Sequence, residues 1–316
     1  MLTHRRHTRL VTVALSAGLL LLTAGCGSDE PADGPAAQGS GSAVPDNAAL
    51  LAGVTTDAAL AGKVPGPIRS AGALRVGSNV QSPPNNFYGA DGKTPIGFEV
   101  DLVTAIGKRL DLTVAYQDMG FDALITSLQS GRVDLTIAGM NDTAVRQERI
   151  TFVDYFTSGI TIMVQKDNPA GIEASADLCG KTIAVVTGTS QEDFATAQSA
   201  ECTAGGGDAL QVTATDSDAQ NQTQLRTGRV SAILNDLPSA VYISRTAGDG
   251  MFFQTVDQAP INGGPYGIGI NKADPALAAA VQQALQSLIA DGTYAEILSS
   301  WQITSGAVTT ATINAG

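Results

Sequence analysis

Apolar positions along this chain follow two rhythms in turn. Ala73-Leu74-Arg75-Val76-Gly77 reads as a strand that Pro83-Pro84 stops, and Phe98, Leu102, Val103, Ile106 and Leu110 recur at helical spacing. Leu112, Val114 and Tyr116 then alternate as strand residues do. Phe121, Leu124, Ile125 and Leu128 return to the helical period, Gly131 stands where a C′ glycine ends a helix, and Val133, Leu135 and Ile137 alternate again. This βαβαβ order predicts a sheet covered by helices. A second run repeats it: strand 182–186, helix 190–200, strand 210–213, helix 219–227, strand 232–234 and helix 238–245. The pattern closes with a strand, Tyr266 to Ile270, a helix carrying Leu277, Val281, Leu285 and Leu288 up to Asp291-Gly292, and a last helix holding Tyr294, Ile297, Leu298 and Trp301. Two α/β lobes are implied. Gly205-Gly206-Gly207 has no following helix with phosphate-binding residues and reads as a surface loop.

The first fifty residues break both rhythms. Basic residues from His4 to Arg9 precede a 13-residue apolar run, Leu10 to Leu22, too short to span a bilayer and of the length of a secretory h-region. Residues 1–25 therefore read as a signal peptide. The run ends in Leu22-Thr23-Ala24-Gly25-Cys26, which resembles a bacterial lipobox, with Thr23 where leucine is usual. That resemblance implies lipidation of Cys26, which then becomes the N-terminus. Residues 26–49 hold a single aliphatic residue, Val44, among Gly, Ser, Pro, Ala and acids, and are expected to form a disordered tether.

Composition narrows the chemistry. The 316 residues suit about two domains of ~100–200 residues. Without Arg5, Arg6 and Arg9 the 18 basic residues become 15 against 30 acidic ones, a net charge of −15 that repels phosphate backbones, so no nucleic-acid partner is expected. Both histidines, His4 and His7, lie in the leader. The mature chain has none, which excludes Ser-His-Asp and Cys-His catalysis and histidine metal sites. Cys179 and Cys202 remain in an oxidising compartment and are expected to pair as a disulfide.

Three places carry candidate chemistry. In Asp134 to Arg149 a strand ends near Ala138, a turn with Gly139 follows, Thr143 stands at an N-cap, and Arg146 comes three residues later. A helix start favours an anion, and arginine adds a two-pronged clamp for a carboxylate. Read alone, it is more often a capped surface helix with a solvated arginine. Val186-Thr187-Gly188-Thr189-Ser190-Gln191 offers a second helix start of the same kind. Asn235-Asp236-Leu237-Pro238 lies at the C-terminal end of a strand, where open α/β sheets meet ligands, so Asp236 can face an ammonium or simply cap the next helix. Together they describe a site for a zwitterion shared between two lobes.

At these residues the sequence resembles the solute-binding proteins of polar amino-acid ABC transporters. The resemblance runs through Leu74-Arg-Val-Gly, Gly97-Phe-Glu-Val-Asp-Leu, Leu124 to Asp134, Ala138 to Arg149, Gly188-Thr-Ser, Asn235-Asp-Leu-Pro and Asp291 to Trp301. It implies a two-lobed type II periplasmic-binding-protein fold, α/β in class, its two α/β lobes joined by hinge crossovers near residues 160 and 263. The corresponding division is an N-terminal extension 50–72, lobe 1 from 73–160 plus 263–304, lobe 2 from 161–262, and a C-terminal tail 305–316. The resemblance assigns the ligand α-carboxylate to Arg146, helped by Ser190, Thr189 and Thr143, and the α-ammonium to Asp236 with Gly139 and Asn141. Phe121 matches a wall position. Ser82 and Asn85 replace hydrophobic or aromatic residues of the family beside Pro83-Pro84, which favours a compact acid or amide side chain over lysine, arginine or leucine, unless Phe87 swings in as a platform.

The implied protein is the extracytoplasmic substrate-binding component of an ABC importer that captures a small polar amino acid by hinge closure. It is expected to be a monomer on the outer face of a bacterial cell membrane, lipid-anchored, with an ABC permease as partner and no cofactor, metal or catalytic residue. The alternative is a dehydratase-like enzyme on the same fold, with Asp118 or Glu192 as general acid.

Overall fold

The computed structural model describes residues 44–316; the expected leader, Cys26 and the tether up to residue 43 lie outside them. Three short helices come first, α1 (Ala48–Gly53), α2 (Ala58–Ala61) and α3 (Gly66–Ala71). α1 begins inside the stretch read as tether, because Leu50, Leu51 and Val54 find an apolar surface to cover.

The alternating segments fold as α/β units. β1 (Ala73–Ser78) leads through a ribbon of β2 (Phe87–Tyr88) and β3 (Pro95–Ile96) to α4 (Phe98–Arg109), then come β4 (Thr113–Asp118), α5 (Leu124–Gln129), β5 (Leu135–Thr136) and α6 (Ala144–Gln147). β6 (Ile150–Gln165) follows, then β7 (Thr182–Val186), α7 (Ser190–Ala204), β8 (Gln211–Thr215), α8 (Asp218–Arg226), β9 (Ala232–Asp236), α9 (Leu237–Thr246) and β10 (Phe253–Thr255). β11 (Ile261–Asn271), α10 (Pro275–Ala290), α11 (Thr293–Ser300) and β12 (Thr312–Ile313) complete the chain. Gly131 has φ 70° just beyond α5, the left-handed stop that its position predicts.

One sheet runs through both lobes in the order β4-β1-β5-β11-β6-β9-β7-β8. Pairing is parallel within each α/β run and antiparallel where β11 and β6 cross the middle. β6 pairs with β11 from Ile150 to Ser158 and with β9 from Ile160 to Met163, so one strand serves both lobes. The β6–β11 register breaks between Gly264 and Ile261, beside Gly159. β6 and β11 are thus the two strands that pass between the lobes. Gly159 is packed so tightly that a Cβ there would lie 2.8 Å from Pro260 Cβ and 2.9 Å from the Ile261 carbonyl.

Each lobe has its own core. In lobe 1, α4, α10 and α11 cover the sheet with Phe98, Leu102, Ile106, Val281, Leu285 and Ile297, while Leu124, Leu128 and Phe152 fill the side under α5. In lobe 2, Ile162, Val164, Ile183, Val185 and Leu234 meet Ala195 and Cys202 of α7 on one face, and Leu225, Ile233 and Ile243 fill the other. Cys202 is bonded to Cys179, with Cα atoms 5.5 Å apart, which ties the end of α7 to the turn before β7. The C-terminal segment is held as well. β12 pairs with Val153 and Asp154 of β6, the Asp154 carboxylate accepts the Ala315 N–H at 3.0 Å, and Asp142 accepts the Gly316 N–H at 3.0 Å.

Candidate functional site

The loop from β5 to α6 carries most of the first lobe's contribution. Gly139 sits at φ 59°, a left-handed conformation that suits glycine, and a Cβ there would lie 2.7 Å from Asn85 Nδ2. Its N–H donates to Glu99 Oε1 at 2.7 Å. Glu99, in the first turn of α4, is fully buried and also accepts from Asn86 Nδ2 and the Tyr155 hydroxyl. Burial pushes its carboxyl up to about 7 although all three donors pull the other way. Asn141 makes a bridge to Tyr266 of β11.

Thr143 caps α6, its Oγ1 accepting the Arg146 N–H at 3.3 Å. Arg146 therefore leaves the first turn toward the cleft. Its Nη1 donates to the Asn141 carbonyl at 3.0 Å, its Nη2 to the Gly188 carbonyl of lobe 2 at 3.2 Å, and its guanidinium lies 5.6 Å from the Phe121 ring centre. Burial lowers its pKa, opposed by Asp193 and Asp236.

Lobe 2 answers from two strand ends. After β7, the Thr189 hydroxyl is spent locally, donating to the Val186 carbonyl at 2.6 Å and accepting the Glu192 N–H. Ser190 Oγ instead crosses the cleft to Asn141 Oδ1 at 2.6 Å. After β9, Asp236 stands at the N-cap of α9 but makes no capping bond. Its Oδ1 is buried and accepts no hydrogen bond of good geometry, although the Tyr266 hydroxyl and the Gln191 side chain lie close enough to pull its pKa down. Burial, with Asp218 and Glu99 nearby, pushes the Asp236 carboxyl up to about 7. An ammonium placed there would supply the missing donor and remove that penalty.

Eight of the ten residues singled out from the sequence line the cleft, in two groups, with Arg146 against Phe121 and Gly139 against Asn85. Ser82, Asn85, Phe121, Thr189 and Asp236 line its inner cavity. Asn141, Thr143 and Ser190 line an outer gap next to Ala315 and Gly316, and Arg146 joins the groups through Phe121. The Pro83-Pro84 peptide is cis. Phe87 is no platform: it packs with its ring centre 6.0 Å from both Tyr242 and Trp301.

Sequence reasoning missed Asn79 and Asp218, which also line the cavity, and gave no role to Gln191 and Asn235, which lie in quoted motifs and line it too, or to Glu99 behind it. Asp218 begins α8 just past the C-terminal end of β8, so the strand-end rule that marked Asp236 marks it equally. Among the described residues, no group of three or more His, Cys, Asp or Glu side chains is placed to hold a metal, and no helix is long and apolar enough to cross a membrane.

Two α/β lobes sharing a pair of crossover strands, with a cleft between them, are the architecture of a bilobed solute-binding protein. The model for bacterial extracellular solute-binding proteins, family 3, matches residues 74–304, and the chain belongs to that family. It is 29% identical to the arginine-binding protein ArgT of Corynebacterium glutamicum over 252 residues, 79% of this chain and 81% of the relative. It is 28% identical over 254 residues to the L-cystine-binding protein TcyJ of Escherichia coli K12, covering 80% and 91%. Among solved structures, an ancestral arginine-binding protein bound to arginine superposes with a TM-score of 0.66 at 33% identity, covering 73% of this chain and 98% of the other.

Proposed function

We propose that this protein is the extracytoplasmic receptor of an ABC importer and closes its lobes on a free amino acid. Arg146 takes the α-carboxylate with Ser190, Thr143 and the Asn141 region, and Asp236 takes the α-ammonium beside Gly139 and Asn85. The observation that carries this reading is the buried Asp236 Oδ1 without a well-placed donor, in a cleft that the Arg146 guanidinium spans to reach the Gly188 carbonyl. The family membership and the named relatives, all amino-acid-binding proteins, support it. The two carboxylates that an enzyme would draw on are engaged elsewhere: Asp118 accepts from the Val80 N–H and the Tyr88 hydroxyl, and Glu192 from the Gly188 N–H.

The test is calorimetric titration with the common L-amino acids. At least one should bind the parent protein, and Arg146→Ala should weaken it at least about a hundredfold while the fold persists, because a desolvated carboxylate loses its charge-assisted pair. Parent-like binding by that variant refutes the assignment. The anchor, the leader and the tether belong to the same proposal. Cys26→Ser should move the protein from the membrane fraction to the soluble one; retention in the membrane refutes lipidation at Cys26.

A further inference from the structure

Deepening the zwitterion reading and resting on it, we infer that the captured amino acid carries a second positive charge on its side chain, received by Asp218 of lobe 2. Asp218 is 4% exposed and lines the same cavity as Asp236. Its Oδ2 accepts the Ser82 hydroxyl of lobe 1 at 3.1 Å and its Oδ1 accepts Asn235 Nδ2 at 3.3 Å. A carboxylate offers about four acceptor positions, so two remain. No Lys or Arg among the described residues forms an ion pair with it.

The cavity is short of donors. Asn85 Oδ1 and Asp236 Oδ1 are both buried without a well-placed donor, and both residues line it. Charge balance then fixes the missing group. The ligand carboxylate neutralises Arg146 and the ligand ammonium neutralises Asp236, which leaves the charge of Asp218 uncompensated inside a desolvated space. Burial already pushes this carboxyl up to about 6. An acidic side chain would bring a second negative charge against it. An amide would donate a hydrogen bond and leave the charge in place. An ammonium or guanidinium supplies both donor and charge, and Ser82, at the mouth of this subsite, orients the carboxylate that receives it. Ser82 and Asn85, read from sequence as a preference for acid or amide side chains, become the neutral rim of a cation site once Asp218 stands beside them.

The experiment titrates the purified protein with L-arginine, L-lysine, L-ornithine, L-glutamine, L-glutamate and L-cystine. A cationic amino acid should bind at least about tenfold tighter than glutamine, with glutamate the weakest. Asp218→Asn should cost the cationic ligand at least about tenfold and move glutamine by no more than about threefold. Tightest binding by glutamine, glutamate or cystine overturns the inference and leaves the zwitterion reading standing, as does an Asp218→Asn protein that keeps parental affinity for the cation. Binding of no amino acid by the parent overturns the zwitterion reading itself. If Asp218→Asn does not fold, as read by its melting transition, the parent's rank order decides alone.

Discussion

Replacing Glu99 by glutamine should change how this protein's stability depends on pH. The carboxyl is fully buried, and burial raises it from 4.5 to about 7, a change in proton affinity equivalent to about 3 kcal/mol. The folded chain then binds this proton more tightly than the unfolded chain does. Protonation therefore stabilises: the contribution is full below about pH 4.5, declines as pH rises and is gone above about pH 7. Glutamine keeps the shape and carries no charge, so it abolishes that decline. Its oxygen can still accept from the Gly139 N–H and the Tyr155 hydroxyl, and its new N–H can donate to Asn86 once that amide turns over, because Asn86 Oδ1 has no partner to lose. Urea unfolding followed by the single tryptophan, Trp301, at pH 5 and pH 8 reads the effect directly. The parent should lose about 2–3 kcal/mol more than Glu99→Gln between those two conditions. Equal losses would refute the reasoning. Glu99→Ala, by contrast, leaves three buried donors unpaired at roughly 1–3 kcal/mol each and should fold poorly if at all.

Three further outcomes follow from described contacts. Cys179→Ser with Cys202→Ser should lower stability by about 3 kcal/mol, the chain-entropy value for a separation of 23 residues, and an unchanged urea midpoint would contradict it. Gly139→Ala should weaken ligand binding at least about tenfold, since the methyl meets Asn85 Nδ2 at 2.7 Å in a left-handed conformation; parental affinity in titration would show that the loop yields. Phe121→Ala removes the surface under the Arg146 guanidinium and should cost roughly two- to thirtyfold in affinity, from a cation–π contact of about 0.5–2 kcal/mol, with a melting temperature close to the parent's.

Much of the fold was legible because the α/β segments obey simple periods. Phe98 to Leu110 and Leu277 to Leu288 each bury one helical stripe, and Gly131 ends α5 as its sequence position says. β6 escaped that reading. Ile150 to Gln165 is buried on both faces for most of its length, so no alternation marks it, and its role in both lobes shows only in the pairing. β12 is two residues long and is defined by its contact with β6, which no local pattern encodes. In the site, Arg146 and Asp236 were visible because their surroundings form punctuated strand-to-helix turns. Asp218 sits in a polar run, Thr215-Asp216-Ser217-Asp218, that looks like any helix start, and only burial against Ser82 distinguishes it. Glu99 lay within a quoted motif, but the three donors it gathers come from positions 86, 139 and 155, far apart in the chain.

The strands shared by both lobes separate two properties that a receptor must set. On the proposed reading, which solute is taken is decided in the cleft, by the side chains at 146, 218 and 236. On the same reading, the concentration at which the receptor loads depends on a place some distance away, where the β6–β11 register breaks beside Gly159 and Gly263. Apparent affinity equals the affinity of the closed form multiplied by the fraction of molecules closed beforehand, so a hinge that holds one molecule in ten closed raises the loading threshold about tenfold without altering selectivity. Gly159 is packed against Pro260 and Ile261 so closely that a single methyl group must push the ribbons apart. The sensitivity of uptake can thus drift over generations through substitutions that never touch the ligand, while its chemical preference stays fixed.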